Sequence, residues 1–209
     1  MLFGGYQPFT LSDYPGCIAA IAFTQGCNFR CVFCHNGSLL PEGKSGTGLY
    51  SAEDIMVRLR PRSSQLDGLV ITGGEPTLHE DLPEFIAQVK ALGLKLKLDT
   101  NGSRPDRLAA LIQGGLVDYI AMDIKAPLHA YSRVCGTAVE TAAIQESIAL
   151  LGASAIPHHF RTTYSSAFLS EAELEEIRAL VPKGSKHIVQ RFQPEHALSP
   201  QLRGETKEA

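Results

Sequence analysis

Short apolar runs alternate with helix-spaced apolar positions along most of this chain. Strand-like segments fall at Ile18–Phe23, Gly68–Thr72, Leu94–Leu98, Tyr119–Ile124, Ile156–Thr162 and His187–Phe192. Helical patterns lie between them. Ser51 and Asp54 form a capping-box pattern ahead of Ile55 and Leu59, and Pro61 stops that helix. Leu82, Phe85, Ile86, Val89 and Leu92 recur at helical spacing until Gly93. Pro105 opens a helix carrying Leu108, Leu111 and Ile112, and Gly114-Gly115 ends it. Another carries Ile144, Ile148 and Leu151, and the last opens on Ser170 and Glu173 and runs to Pro182.

Regular strand–helix alternation with short connections predicts a parallel sheet. Six such repeats, with a chemistry-bearing loop after the first strand, fit an α/β fold of incomplete (β/α)6 TIM-like barrel type better than a doubly wound sheet. One domain over residues 1–209 is expected, with residues 1–16 as a lead-in hairpin and residues 199–209 as a frayed tail. Two strands carry an added signal. Leu94, Leu96 and Leu98 alternate with Lys95, Lys97 and Asp99, and Ala121, Asp123 and Lys125 share one face. Buried parallel strands are usually apolar on both faces. Asp99, Asp123 and Lys125 are therefore expected to point into the barrel, although a solvated edge strand would give the Lys95–Asp99 pattern as well.

Composition narrows the functional classes. The 209 residues are 44% hydrophobic and carry a formal net charge of −3, from 19 Lys plus Arg against 22 Asp plus Glu. That length supports one sizeable core, and the balance gives no basic excess for sequence-independent nucleic-acid binding. Scattered basic residues argue against a membrane patch, and no apolar stretch approaches the ~18 residues of a span. No secretory leader pattern is visible at the N-terminus, and five cysteines are an odd number for a disulfide framework, so the cytosol is the expected compartment. Cys17 and Cys135 read as isolated thiols, and His158 and His159 as a strand-face pair.

The chemistry concentrates at Cys27, Cys31 and Cys34, spaced Cys-x3-Cys-x2-Cys directly after the first strand. Three thiolates on one loop can hold three irons of a cubane and leave the fourth open, whereas such clusters are normally closed by four thiolates. The spacing favours iron–sulfur. A zinc site recruiting His35 and a redox Cys-x-x-Cys pair that leaves Cys27 idle remain open. Thr72-Gly73-Gly74-Glu75-Pro76 follows the second strand. Its glycines would let a ligand approach the backbone, and Glu75 offers an acceptor for an ammonium group. Both loops should face one mouth.

Cys27, Cys31, Phe33 and Cys34 with Gly73–Pro76 resemble the signature of the radical S-adenosylmethionine (SAM) superfamily. Ser12–Gly16, Phe23–Cys31, Cys34-His35-Asn36, Leu98–Gly102, Met122–Pro127 and Arg161–Thr163 extend the resemblance to activating enzymes of glycyl radical proteins. The chain is similar to the anaerobic ribonucleoside-triphosphate reductase activating type and to pyruvate formate-lyase activating enzyme. The resemblance implies that Cys27, Cys31 and Cys34 ligate a [4Fe-4S] cluster whose fourth iron is chelated by SAM. It implies Phe33 against the adenine, Gly73, Gly74 and Glu75 at the methionine ammonium, and Asp123 and Lys125 near the carboxylate. Asp99, Thr100 and Asp123 match a site for a monovalent cation, His196 a histidine near the ribose, and Arg161 is a further candidate. His35 follows the same pattern beside the cofactor.

The implied reaction is reductive cleavage of SAM with an electron from flavodoxin or ferredoxin. The resulting 5′-deoxyadenosyl radical takes a hydrogen atom from a glycine Cα of a partner, with anaerobic ribonucleotide reductase expected. The alternatives are a radical SAM enzyme for a small molecule, resembling the deazapurine synthases, and a zinc- or cluster-bearing interaction module. Tyr164-Ser-Ser-Ala-Phe168 departs from the Val-Pro-Gly turn of many activases, so the top of the fifth predicted strand should be built differently.

Overall fold

A computed structural model describes residues 1–40 and 48–203. Among these described residues, eight strands form one sheet: β1 (Leu2–Thr10), β2 (Ala19–Thr24), β3 (Tyr50–Ser51), β4 (Gly68–Gly73), β5 (Lys95–Thr100), β6 (Tyr119–Asp123), β7 (His158–Tyr164) and β8 (Lys186–Arg191). Six helices accompany them: α1 (Ala52–Leu59), α2 (Leu82–Lys90), α3 (Pro105–Gln113), α4 (Tyr131–Cys135), α5 (Thr141–Ala153) and α6 (Glu171–Leu180). The strand order is β3-β1-β2-β4-β5-β6-β7-β8. From β2 onward each of the six main strands pairs in parallel with the next, so the sheet is the expected incomplete barrel. The lead-in supplies β1, antiparallel to both β2 and β3. The sheet does not close, and β3 and β8 are its two edges among the described residues.

Local sequence explains the helix starts. Ser51 and Asp54, and Ser170 and Glu173, exchange both bonds of a capping box at α1 and α6. Each such cap contributes about 1 kcal/mol by pairing amides that the first turn leaves free. Pro83 and Pro105 sit in the first turns of α2 and α3, where no amide donor is needed.

The outer layer buries Leu69, Ile71, Leu96 and Leu98 of the sheet against Ile55, Phe85, Ile86, Val89 and Leu111 of the helices, each at most 2% exposed. A second, smaller cluster of Tyr14, Ala19, Ile21 and Val70 lies apart from it, with Phe23 and Tyr119 packed against it. Above this cluster the sheet's concave face turns polar. Lys97 is only 2% exposed on β5, flanked by paired strands on both sides. The edge-strand reading of Lys95–Asp99 is thereby excluded.

Because β2 and β4–β8 run in parallel, their C-terminal ends share one mouth. Register brings Thr24 beside Gly73, Thr100 beside Met122 and Asp123 beside Arg161. After β8 the described chain forms turns at Pro194–His196 and Pro200–Arg203. Ser199 N–H donates to Val32 O at 2.9 Å, tying the start of the expected tail to the cysteine loop; residues 204–209 of that tail lie outside the described residues. No helix among the described residues is long and apolar enough to cross a membrane.

Candidate active site

A cavity of about 310 Å³ opens at the C-terminal ends of the strands, within the range of small-molecule sites. It is lined by Cys27, Cys31 and Cys34, by Phe33 and His35, by Gly73 and Gly74, and by Asp99, Thr100, Asp123, Lys125 and Arg161. Most of the predicted site residues therefore converge on one space. Residues from six strands contribute, which local sequence could suggest only through motif order.

The cysteine loop is held in shape by backbone pairing. Gly26 N–H donates to Leu39 O at 2.7 Å, Glu75 N–H to Gly26 O at 2.8 Å and Cys34 N–H to Cys31 O at 2.9 Å. Arg30 and Val32 amides donate to the Cys135 and Val134 carbonyls at 2.8 and 3.1 Å, so the end of α4 braces the loop's middle. Gly136 ends α4 with φ +63°, and a Cβ there would meet Arg30 O at 2.4 Å. That close approach makes glycine necessary.

The thiols sit in different fields. Burial pushes Cys27 up to about 11 and also raises Cys34. Cys135, buried against Cys31, favours the Cys31 thiolate and is itself raised. Cys135 is thus no isolated thiol. Three soft donors on one partly buried loop fit an iron–sulfur cluster, whose irons keep the sulfurs deprotonated as they bind. Phe29 N–H, 3.4 Å from Cys27 Sγ, is a further donor toward that sulfur.

Phe33 and His35 line the cavity on one side, and two further rings pack behind them. Phe33 stacks on Phe168 with centroids 4.9 Å apart, Phe168 meets Phe192 edge-on at 5.4 Å, and Phe192 stacks on His35 at 5.6 Å. Phe168 comes from the departing Tyr164–Phe168 segment, so that departure supplies the ring that backs Phe33. His196 falls in the turn Pro194–His196 that follows β8.

Glu75 is 0% exposed and is not among the residues lining the cavity, although its partners Thr100 and Asn101 are. Its Oε1 accepts from Thr77 N at 3.0 Å and from the Thr77 and Thr100 hydroxyls, and its Oε2 accepts from Asn101 N at 2.6 Å. Burial raises its carboxyl in spite of these donors. The side chain ties the β4 and β5 loops together, and Gly73 and Gly74 reach the cavity in its place.

Asp99, Asp123 and Lys125 face inward as the two-residue period predicts. Arg161 Nε and Nη2 donate to both oxygens of Asp123 at 2.6 and 3.2 Å, and Nη1 reaches Asp99 Oδ2 at 3.3 Å. Lys125 Nζ lies 2.8 Å from Asp123 Oδ2, and Lys97 pairs with Asp99. Burial disfavours a charged Asp123, but Arg161 and Lys125 outweigh it and hold the carboxyl well below its usual range. Asp123 in turn holds Arg161 well above its usual range. Thr100 also lines the cavity, but its Oγ1 donates to Glu75 at 2.8 Å. The three residues expected as a cation trio, Asp99, Thr100 and Asp123, thus share one lining, with the Arg161 guanidinium bonded to both carboxylates.

Lys97, Phe168, Phe192 and the bracing role of Cys135 are what sequence reasoning missed. Lys97 was visible in the alternation of β5, whereas the aromatic wall has no local signal. Asn28 was also missed; its side chain bonds Asn101 and Ser103 at 2.9 Å each, linking the cysteine loop to the end of β5.

The fold and site together are those of a radical enzyme built on an open barrel, and the family model for the radical SAM superfamily matches residues 21–181. The chain belongs to that superfamily; it is an enzyme, and its cofactors are a [4Fe-4S] cluster and SAM. Among relatives, it is 30% identical over 207 residues to a protein of Methanocaldococcus jannaschii named as a candidate glycyl-radical enzyme activating enzyme, covering 97% of this chain and 84% of that one. A protein of Sulfolobus acidocaldarius named as a candidate GTP 3′,8-cyclase is 36% identical over 107 residues, covering 50% of this chain and 33% of that one. Among solved structures, Streptococcus suis SuiB bound to S-adenosylmethionine superposes with a TM-score of 0.63 at 15% identity, over 83% of this chain and 40% of that one.

Proposed function

We propose that this radical SAM enzyme is an activase that removes a Cα hydrogen atom from one glycine of a partner glycyl radical protein. The observation that carries the reading is the likeness to the M. jannaschii activating enzyme, which spans both chains nearly end to end. The GTP-cyclase likeness supports the second reading, a small-molecule substrate, but spans half of this chain and a third of that relative. The partner is proposed to be anaerobic ribonucleotide reductase, and the electron source flavodoxin or ferredoxin.

In this reading Cys27, Cys31 and Cys34 hold the cluster, and the Gly73–Gly74 backbone meets the methionine ammonium. Lys125 and Arg161 face the methionine carboxylate, and Phe33 and His35 border the adenosine with the Phe168–Phe192 wall behind them. His196 is proposed to lie near the ribose. When bound, the cluster and SAM supply the one-electron chemistry that makes a glycine C–H bond breakable. The chain's own residues fix where that happens. Lys125 and Arg161 anchor one end of SAM by charge, and the buried aromatic wall excludes water and competing hydrogen donors. The open side between β8 and β3 gives a glycine-bearing loop of another protein a route to the mouth. The single domain over residues 1–209 and a cytosolic setting belong to the same proposal.

The test is anaerobic incubation of the reconstituted enzyme with SAM, a reductant and a candidate glycyl radical protein. The expected result is 5′-deoxyadenosine together with a glycyl signal by electron paramagnetic resonance on the candidate. Turnover of GTP without any glycyl signal would favour the second reading and sink the first.

A further inference from the structure

The charged groups inside the barrel do not leave room for the cation that the resemblance implies. Asp99 and Asp123 stand on neighbouring strands with the Arg161 guanidinium between them, bonded to both at 2.6–3.3 Å. Their other contacts are also taken. Asp99 Oδ2 accepts from Thr72 Oγ1 at 3.2 Å and Oδ1 pairs with Lys97; Asp123 Oδ2 accepts from Lys125 at 2.8 Å. The third member of the expected trio, Thr100, has its hydroxyl on Glu75. Each carboxylate already meets two cationic side chains, so a further metal cation would gain little attraction and would meet a guanidinium at contact distance.

Counting side chains in this group gives three positive charges, Lys97, Lys125 and Arg161, against two negative ones, Asp99 and Asp123. His159 borders the same interior on β7 and adds nothing, since burial and then the Lys97 and Arg161 charges push it down to about 4. One positive charge is left over, on a cavity wall formed by Lys125 and Arg161. A single ligand carboxylate would neutralise it. Arg161 is suited to the task, because a planar guanidinium can hold two carboxylates by its paired N–H groups and still present an edge.

We propose that Arg161 replaces the monovalent cation in this chain: its guanidinium bridges Asp99 and Asp123, and with Lys125 it receives the SAM carboxylate without sodium or potassium. The proposal concerns SAM binding and stands whether the substrate is a protein glycine or a small molecule.

The test is calorimetric titration of SAM into the anaerobically reconstituted holoenzyme, in a tetramethylammonium salt and then in potassium or sodium salt of equal ionic strength. Wild-type Kd is expected to differ by less than about twofold between salts. Arg161→Ala is expected to bind about tenfold more weakly in the organic salt and to recover on addition of potassium or sodium, which can then enter between Asp99 and Asp123. Arg161→Lys, which keeps the charge but cannot span both carboxylates, provides the same comparison if the alanine variant does not fold. A wild-type Kd that tightens tenfold or more with potassium or sodium overturns the proposal, and so does a variant that binds like wild type in both salts.

Discussion

Gly74→Ala is the most incisive single change, because the damage is set by backbone contact and not by any flexible neighbour. A Cβ at position 74 would lie 1.9 Å from Gly26 O and 2.7 Å from Gly26 C. Restoring ordinary contact at 3.4 Å requires Gly26 O to withdraw by about 1.5 Å. That carbonyl accepts the Glu75 amide at 2.8 Å, and Gly74 N–H donates to Thr24 O at 2.9 Å. Both bonds join the β4 turn to the loop that delivers Cys27. Losing them costs about 1 kcal/mol each, and forcing a methyl into a packed backbone contact adds about 1–3 kcal/mol. The sum is ~4 kcal/mol, which for a domain of this size lowers Tm by about 10 °C.

Gly93→Ala is the control. Position 93 has φ +80° but nothing within 4 Å of an added Cβ, so only the left-handed backbone penalty of about 1–2 kcal/mol applies. Thermal unfolding of the two reconstituted variants, with iron content measured alongside, separates contact from conformation. Gly74→Ala should lose both stability and iron, and Gly93→Ala should keep its iron. A Gly74→Ala protein that melts within ~2 °C of wild type with full iron occupancy would refute the close-contact reasoning.

Three further outcomes follow from the same geometry. Cys31→Ala should abolish SAM cleavage and lower iron content, and retained cleavage with an intact cluster would contradict the ligand assignment. Lys125→Ala should weaken SAM binding about tenfold by calorimetry, the worth of one charge-assisted bond; unchanged affinity would remove Lys125 from the site. His159 should make the protein acid-sensitive. It is held neutral in the folded state at about 4 against 6.5, so the folded state resists a proton that the unfolded chain accepts. The stability at stake is fully present above pH 6.5 and is lost as pH falls through 6.5 toward 4, up to ~3 kcal/mol. His159→Gln should flatten that limb of a denaturation–pH series between pH 7 and 4, and an unchanged slope would count against the assignment.

The barrel was legible because its elements are locally consistent: both capping boxes form as their residues predict, and the apolar runs become strands in chain order. The mouth was legible for a different reason. Cys27 follows β2, Gly73 ends β4 and Asp99 lies near the end of β5, and parallel register alone brings such positions together. Orientation at the strand ends was harder to read. Glu75 lies two residues past β4, where the two-residue alternation no longer governs, and its carboxylate meets Thr100 and Asn101. Phe168 and Phe192 follow β7 and β8, and nothing near them in the chain announces Phe33 as their partner.

The polar alternation of β5 is where sequence and chemistry meet most directly. A lysine on a central parallel strand would ordinarily weaken a core, since an unpaired buried charge costs several kcal/mol. Lys97 is tolerated because Asp99 lies two residues on along the same face, and Arg161 and Thr72 complete the second carboxylate oxygen from neighbouring strands. Each charge in the group therefore depends on another for its burial, from Lys97 through Asp99, Arg161 and Asp123 to Lys125. Removing Arg161 would take one cationic partner from both carboxylates at once, leaving Asp99 on Lys97 and Asp123 on Lys125, whereas removing Lys125 takes a partner from Asp123 alone. Arg161 is thus the member that links the two pairs, and that asymmetry separates an internal counterion from a ligand-binding residue.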